Sequence, residues 1–191
     1  GVEPRGRITH GCLGIWSDAH GEAMKPLVSI MKQHGAVPGI QIAHAGRKAS
    51  TQRPWNGLSA LNEDDIARGD VPWDVVGPSP LPADEGWLLP KQLDEDEIAE
   101  IVKAFGQAAR RSREAGFEAL EIHGAHGYLI QSFLSPLSNK RNDGYGGDLA
   151  GRMRLALEVT REVRSHWPED KPLFFRISSV DGVDDGWQLA D

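Results

Sequence analysis

Short apolar runs alternate with amphipathic stretches along this chain. From 20 to 34, Leu27, Ile30, Met31 and His34 fall on one face at helical spacing, and Gly35 closes the segment. Pro26 sits awkwardly inside it and predicts a late start or a kink. Residues 37–43 predict a strand. The region 44–93 is rich in Pro, Gly, Asp and Trp and shows no regular period, so it predicts a long functional loop. Asp94-Glu95-Asp96-Glu97 has the form of a capping box. The helix it opens carries a buried stripe of Ile98, Ile101, Val102, Phe105, Ala108 and Ala109. Arg110, Arg111 and Arg113 suit its negative end, and Gly116 stops it. Residues 117–122 predict a second strand. A second long loop follows over 123–148, with a helical turn or two near Ile130. A helix is expected over 149–166, with Met153, Ala156, Leu157, Thr160 and Val163 on one face. Residues 172–178 predict a third strand, and 186–191 the start of a further helix.

The order helix, strand, helix, strand, helix, strand argues for parallel strands joined by crossover helices. A doubly wound sheet and a barrel both satisfy it. No Gly-x-Gly-x-x-Gly follows any strand, which weighs against a dinucleotide fold. Each apolar strand ends in polar residues: Gln41 and His44, then His123, then Arg176. Active sites of (β/α)8 barrels are assembled from such strand ends. A barrel needs eight strands and typically about 250 residues. The chain is therefore expected to be one partial TIM-barrel domain, residues 1–191. It would hold about strands 3–5 with their helices and be cut at both ends. A complete, smaller α/β domain is the competing reading.

Composition narrows the function. The chain has 191 residues, 39% of them hydrophobic and 26% charged, as in an ordinary globular protein. A net charge of −7 and the lack of basic patches with interleaved aromatics argue against nucleic acid as a partner. No apolar run approaches the roughly 20 residues that span a bilayer, so no membrane partner is expected. Cys12 is the only cysteine, which rules out a disulfide within the chain and favours a reducing compartment. The chain opens without a signal-peptide pattern, and the cytoplasm is the expected location.

Several features could carry chemistry. His123 and His126, three residues apart at a strand end, can aim two N–H donors at one carbonyl or nitro group. Tyr128 follows in the same loop and can donate a proton. Taken alone, a His-x-x-His pair is more often structural or a metal pair. With His44 as a third ligand it would make a metal-dependent barrel hydrolase, but no acidic cluster accompanies it. Arg176 follows two phenylalanines within a strand, where a buried guanidinium needs an anionic partner. Either Glu121 or an anionic ligand would serve. Gln41, between Ile40 and Ile42, can bond a neighbouring strand or read the edge of a heterocycle. Arg47 and Lys48 stand at the root of the first long loop, as solvated charges or as partners of an anionic group.

The stretch from His123-Gly-Ala-His126-Gly-Tyr128 through Leu-Ile-Gln-Ser-Phe-Leu-Ser-Pro-Leu-Ser-Asn-Lys-Arg-Asn-Asp-Gly-Tyr-Gly-Gly resembles the hallmark segment of the Old Yellow Enzyme family of FMN-dependent ene-reductases. Gly39-Ile-Gln41-Ile-Ala-His44-Ala-Gly-Arg47-Lys48-Ala is similar to that family's third strand. Phe174-Phe175-Arg176-Ile177-Ser178 resembles its fifth, and residues 6–18 the loop after its second. The His-x-x-His form and the His-Ala-Gly-Arg-Lys run resemble the bacterial, thermophilic-like branch.

That resemblance implies an FMN enzyme that uses NADPH or NADH to reduce activated C=C bonds of small unsaturated carbonyl or nitro compounds, in a homo-oligomeric parent. Gln41 would bond the flavin's pyrimidine edge, and Arg176 would stand near its N1 and O2. His123 and His126 would hold the substrate's electron-withdrawing group. Tyr128 would protonate the carbon next to that group, and the long loop would cover the site. No bound metal is implied. Cys12 does not match the redox-tuning cysteine of this branch, which lies in the first strand. The Gly-rich phosphate site of the last strands has no counterpart here. An inert fragment is therefore a further reading for the isolated chain. Relatives with an iron–sulfur cluster use several cysteines, and Cys12 alone gives that option no support.

Overall fold

The computed structural model describes all residues from Gly1 to Asp191. Helix α1 spans Asp18–Gln33 and begins two residues before the expected start, because the Ser17 side chain accepts from the His20 N–H and caps it. Pro26 lies inside the continuous helix, on its exposed side, rather than delaying its start. The expected stripe is displaced. Val28 is buried and Met24 and Met31 pack on the core, whereas Leu27 and Ile30 are exposed. Strand β1 covers only Gly39–Ile42.

The region 44–93 is not structureless. It holds two short 3-10 turns, the helix α2 over Glu63–Ala67, and two residue pairs, β2 (Val76–Gly77) and β3 (Lys91–Gln92), which form a parallel ribbon. Asn62 and Asp65 make a reciprocal capping box on α2. Helix α3, Glu95–Ala115, starts at the predicted box of Asp94 and Glu97 and ends at Gly116, whose backbone is left-handed. Strand β4 spans Ala119–Gly124, so His123 lies within the strand and not just after it. Helix α4, Leu129–Leu134, occupies the turn expected near Ile130. Helix α5, Leu149–His166, buries Leu155, Ala156, Val159 and Val163, while Leu157 is exposed, contrary to the expected face. Strand β5 is Leu173–Ile177. Residues 186–191 form a turn rather than a helix; the Asp181 carboxylate accepts the Trp187 N–H at 2.7 Å.

The strands form a parallel sheet in the order β1-β4-β5. Successive side chains alternate between its two faces. On one face Ile42, Leu120 and Ile122 are fully buried and join Ile101, Phe105, Val159 and Val163 of α3 and α5 in a core of 26 buried residues. Fully burying a side chain such as Phe105 contributes about 1.5–3 kcal/mol. On the other face register places Gln41 beside Glu121, Glu121 beside Phe174, and His123 beside Arg176. That face is open, and Phe174 is 55% exposed on it. No helix is long and apolar enough to cross a membrane.

Candidate active site

The site lies at the carboxyl end of the sheet, where β4 runs out. His123 is the last inward-facing residue of the strand and is only 5% exposed. The chain then turns sharply. His126 and Gly127 both take left-handed backbone, with φ of +61° and +72°. Tyr128 caps the start of α4. The turn brings three rings together edge to face. Centroids are 5.0 Å apart for His123 and His126, 5.2 Å for His123 and Tyr128, and 6.5 Å for His126 and Tyr128. The His126 N–H donates to Ser178 Oγ at 3.0 Å, and Lys48 Nζ donates to the His126 carbonyl at 2.9 Å.

The loop after β1 backs this turn. Leu129 N–H donates to the His44 carbonyl at 3.0 Å. Gly46 is left-handed, and a Cβ there would stand 2.9 Å from Leu129 Cα, so only glycine allows the two loops to close together. His44 is not free to join the other histidines. Its Nδ1 accepts the Gly46 N–H at 2.9 Å and its Nε2 meets the Glu3 carboxylate at 2.8 Å. Both ring nitrogens are engaged, and the buried imidazole ties the first residues of the chain to the end of β1. The three-histidine metal centre of the hydrolase reading is therefore not assembled.

Burial holds the His123 imidazole down to about 4, with His126 and Arg176 adding smaller pushes in the same direction. The ring is neutral at pH 7. Its Nδ1 is buried without a partner, which leaves Nε2 as the accessible nitrogen. Burial raises the Tyr128 phenol, with Cys12 adding to the effect, so the O–H stays protonated across the neutral range. An NMR titration of the imidazoles should show His123 uncharged until the pH approaches 4. Its folded pKa lies below the free value of 6.5, so protons favour the unfolded chain. The stability tied to this group is full above pH 6.5 and declines as pH falls towards 4. A midpoint at the free value would show that the ring is solvated.

Gln41 and Arg176 share the open face with these rings, but neither is buried as their apolar neighbours suggested. The strand faces they occupy are uncovered. Glu121, a candidate partner of Arg176, instead accepts a hydrogen bond from the Gln41 amide. Arg47 and Lys48 are half-buried rather than solvated. Arg47 donates to the carbonyls of Leu81 and Pro82 at 3.3 and 3.1 Å and fastens the far side of the long loop to its root. Between that loop and the turn lies a cavity of about 350 Å³, lined by Ile8, Lys48, Leu58, Asp84, Trp87 and Tyr128. A larger hollow of about 780 Å³ opens between α5 and β5, on the opposite side of the sheet from the histidines. The smaller cavity is the one that meets Tyr128. Ser178 and Glu3 escaped the sequence reading because their roles depend on partners 52 and 41 residues away.

The whole chain, residues 1–191, matches the NADH:flavin oxidoreductase / NADH oxidase family. The chain belongs to that family. It is 44% identical over 191 residues to an NADPH dehydrogenase of Geobacillus thermodenitrificans, covering 100% of this chain and 50% of that one. Among solved structures, a 2-naphthoyl-CoA reductase superposes with a TM-score of 0.81 at 28% identity, covering 97% of this chain and 27% of that one. An old yellow enzyme homologue from Zymomonas mobilis gives a TM-score of 0.78 at 27% identity, covering 98% and 50%. The chain thus spans about half the length of the NADPH dehydrogenases it matches. Its parallel sheet with flanking helices is a partial (β/α)8 barrel, as the strand-end pattern predicted.

The open face has polar groups that fit the family's flavin. With one amide N–H given to Glu121, Gln41 keeps its carbonyl oxygen as an acceptor, which matches the N–H of a flavin imide. Arg176 places a cation on the same face, one step from the buried and unpartnered Nδ1 of His123. An acceptor and a cation on one face of the sheet, flanking β4 from either side, suit the pyrimidine edge of the ring, where negative charge gathers on reduction.

Proposed function

We propose that this chain carries the substrate side of the active site of an FMN-dependent reductase. The enzyme uses NADPH, or NADH, to reduce activated C=C bonds of small unsaturated carbonyl or nitro compounds. The observation that supports it best is the convergence of His123, His126 and Tyr128, with Gln41 and Arg176, at one end of one sheet. NADPH is favoured as reductant by the name of the 44%-identical relative. Bound FMN supplies the hydride chemistry. Gln41 and Arg176 orient the ring by its polar edge. His123, neutral, and His126 donate hydrogen bonds to the oxygen of the substrate's carbonyl or nitro group, polarising the double bond by placing donors where negative charge develops. Tyr128 gives its phenolic proton to the carbon next to that group. The long loop over 44–93 limits water and shapes the cavity beside Tyr128.

The test is a visible spectrum of the chain after loading with FMN and desalting. It is repeated on a chimera in which residues 1–191 replace the matching half of the Geobacillus thermodenitrificans enzyme. A retained flavin band that NADPH bleaches and cyclohexenone restores is the expected result. A chimera that binds FMN and is bleached by NADPH, yet is never reoxidised by enones or nitroalkenes, would overturn the ene-reductase reading.

A further inference from the structure

The three rings of the site are usable only if the turn that carries them keeps its shape, and that shape is unfavourable by itself. His126 has a left-handed backbone, which side chains with a Cβ rarely adopt. Gly127 continues the same handedness. Nothing in the local sequence beyond Gly127 favours two such residues in a row.

What holds the turn comes from outside it. Both backbone polar groups of His126 are taken by side chains from neighbouring strand ends. Ser178, just past β5, accepts its N–H at 3.0 Å, and Lys48, after β1, donates to its carbonyl at 2.9 Å. The stem of Lys48 also lies against Gly127, where a Cβ would come within 3.2 Å of Cε. The peptide of His126 is therefore clamped between β1 and β5, and the direction of its imidazole beside His123 follows from that clamp. We infer that Lys48 and Ser178 are positioning residues that hold His126 in its left-handed conformation and so set the spacing of the paired histidines. The inference rests on the proposed function for its chemical consequence, but not for its structural content. Lys48 also lines the cavity beside Tyr128, with Asp84 on the same lining. A direct contact between Lys48 and an anionic substrate is the rival account. The geometry favours positioning, because the ammonium is already directed to the carbonyl.

The first arm needs no flavin. In NMR spectra of the 191-residue chain, S178A should speed amide hydrogen exchange at His126 by about fivefold or more, the weight of one neutral hydrogen bond. K48M should change the His126 backbone coupling constant that reports φ. K48R, which can still reach the carbonyl, should restore it, and S178T should restore the slow exchange. An unchanged His126 amide and coupling in both S178A and K48M would overturn the inference.

The second arm uses the FMN-loaded chimera. K48M and S178A should each raise KM for cyclohexenone by about fivefold or more, with FMN reduction by NADPH unaltered. In a H126A background neither should have a further effect, because both act through that residue. Additive effects of K48M and H126A would instead assign Lys48 to the substrate. Failure of the unsubstituted chimera to reduce any activated alkene would sink the functional reading, while the NMR arm would still decide the clamp.

Discussion

Replacing Tyr128 with phenylalanine is expected to slow reoxidation of the reduced flavin by an enone about a hundred- to ten-thousand-fold, the usual span for losing a positioned proton donor. FMN binding and reduction by NADPH should be nearly unchanged. The substitution removes one oxygen and keeps the ring. That ring packs against the small cluster of Ala45, Ala49 and Val75 and stands 5.2 Å from His123, so phenylalanine preserves the packing and the histidine geometry. The phenol's own environment suits the proposed role of donor. Burial keeps it protonated, and it lines the cavity between the turn and the long loop. Rapid mixing separates the two half-reactions. Y128F in which the enone step runs at the unsubstituted rate would show that the proton comes from elsewhere, with water in the cavity the first alternative. Slowing of both steps together would point to a damaged flavin site rather than a missing proton.

How much of this was legible in the sequence depends on the range of the interaction. Helix α3 could be read because its signals are local: Asp94 and Glu97 cap one end and Gly116 the other. The grouping of His123, His126 and Tyr128 was also readable, since a strand end followed by a tight turn keeps them close. The faces of α1 and α5 were read less well. Leu27 and Leu157 are apolar but exposed, so the hydrophobic period marked a helix without fixing which arc meets the core. The ribbon of β2 and β3 is two residues per strand, shorter than any window in which alternation shows. Gln41 and Arg176 looked buried because their neighbours are apolar. Ile40, Ile42 and Phe175 lie on the face towards α3 and α5, whereas the polar pair shares the uncovered face with Phe174. The His44–Glu3 contact and the clamp on His126 were invisible, since each joins residues far apart in the chain.

Arg141 shows the same lesson in stability. Its place in Asn139-Lys140-Arg141-Asn142-Asp143 reads as a polar loop, yet it is 5% exposed. Its Nη1 donates to the carbonyls of Pro78 at 3.2 Å and Leu93 at 2.6 Å, and Nε and Nη2 grip the Asp143 carboxylate at 2.9 and 2.5 Å. One guanidinium thus joins both ends of the 78–93 segment to the loop before α5. Removing it with R141A should cost about 3–5 kcal/mol, as for a buried ion pair broken on one side, because two carbonyls and a carboxylate lose their donor. Lysine should not rescue the loss, since it cannot present the planar fork that the carboxylate and carbonyls share. The hydrogen bond from Arg141 also holds the Asp143 carboxyl below its usual range. A depressed carboxylate contributes stability above its unfolded pKa and loses it as pH falls through its folded value. That acid-side decline should therefore be shallower in R141A, by an amount reduced by the partial exposure of Asp143. Urea unfolding at neutral and acidic pH measures both effects. A loss below about 1 kcal/mol, the range of exposed ion pairs, would mean that the guanidinium is solvated and that the long loop is fastened by other contacts. A loss of the expected size, with faster proteolysis within 78–93, would make Arg141 the fastening through which the cover of the site depends on the fold beneath it.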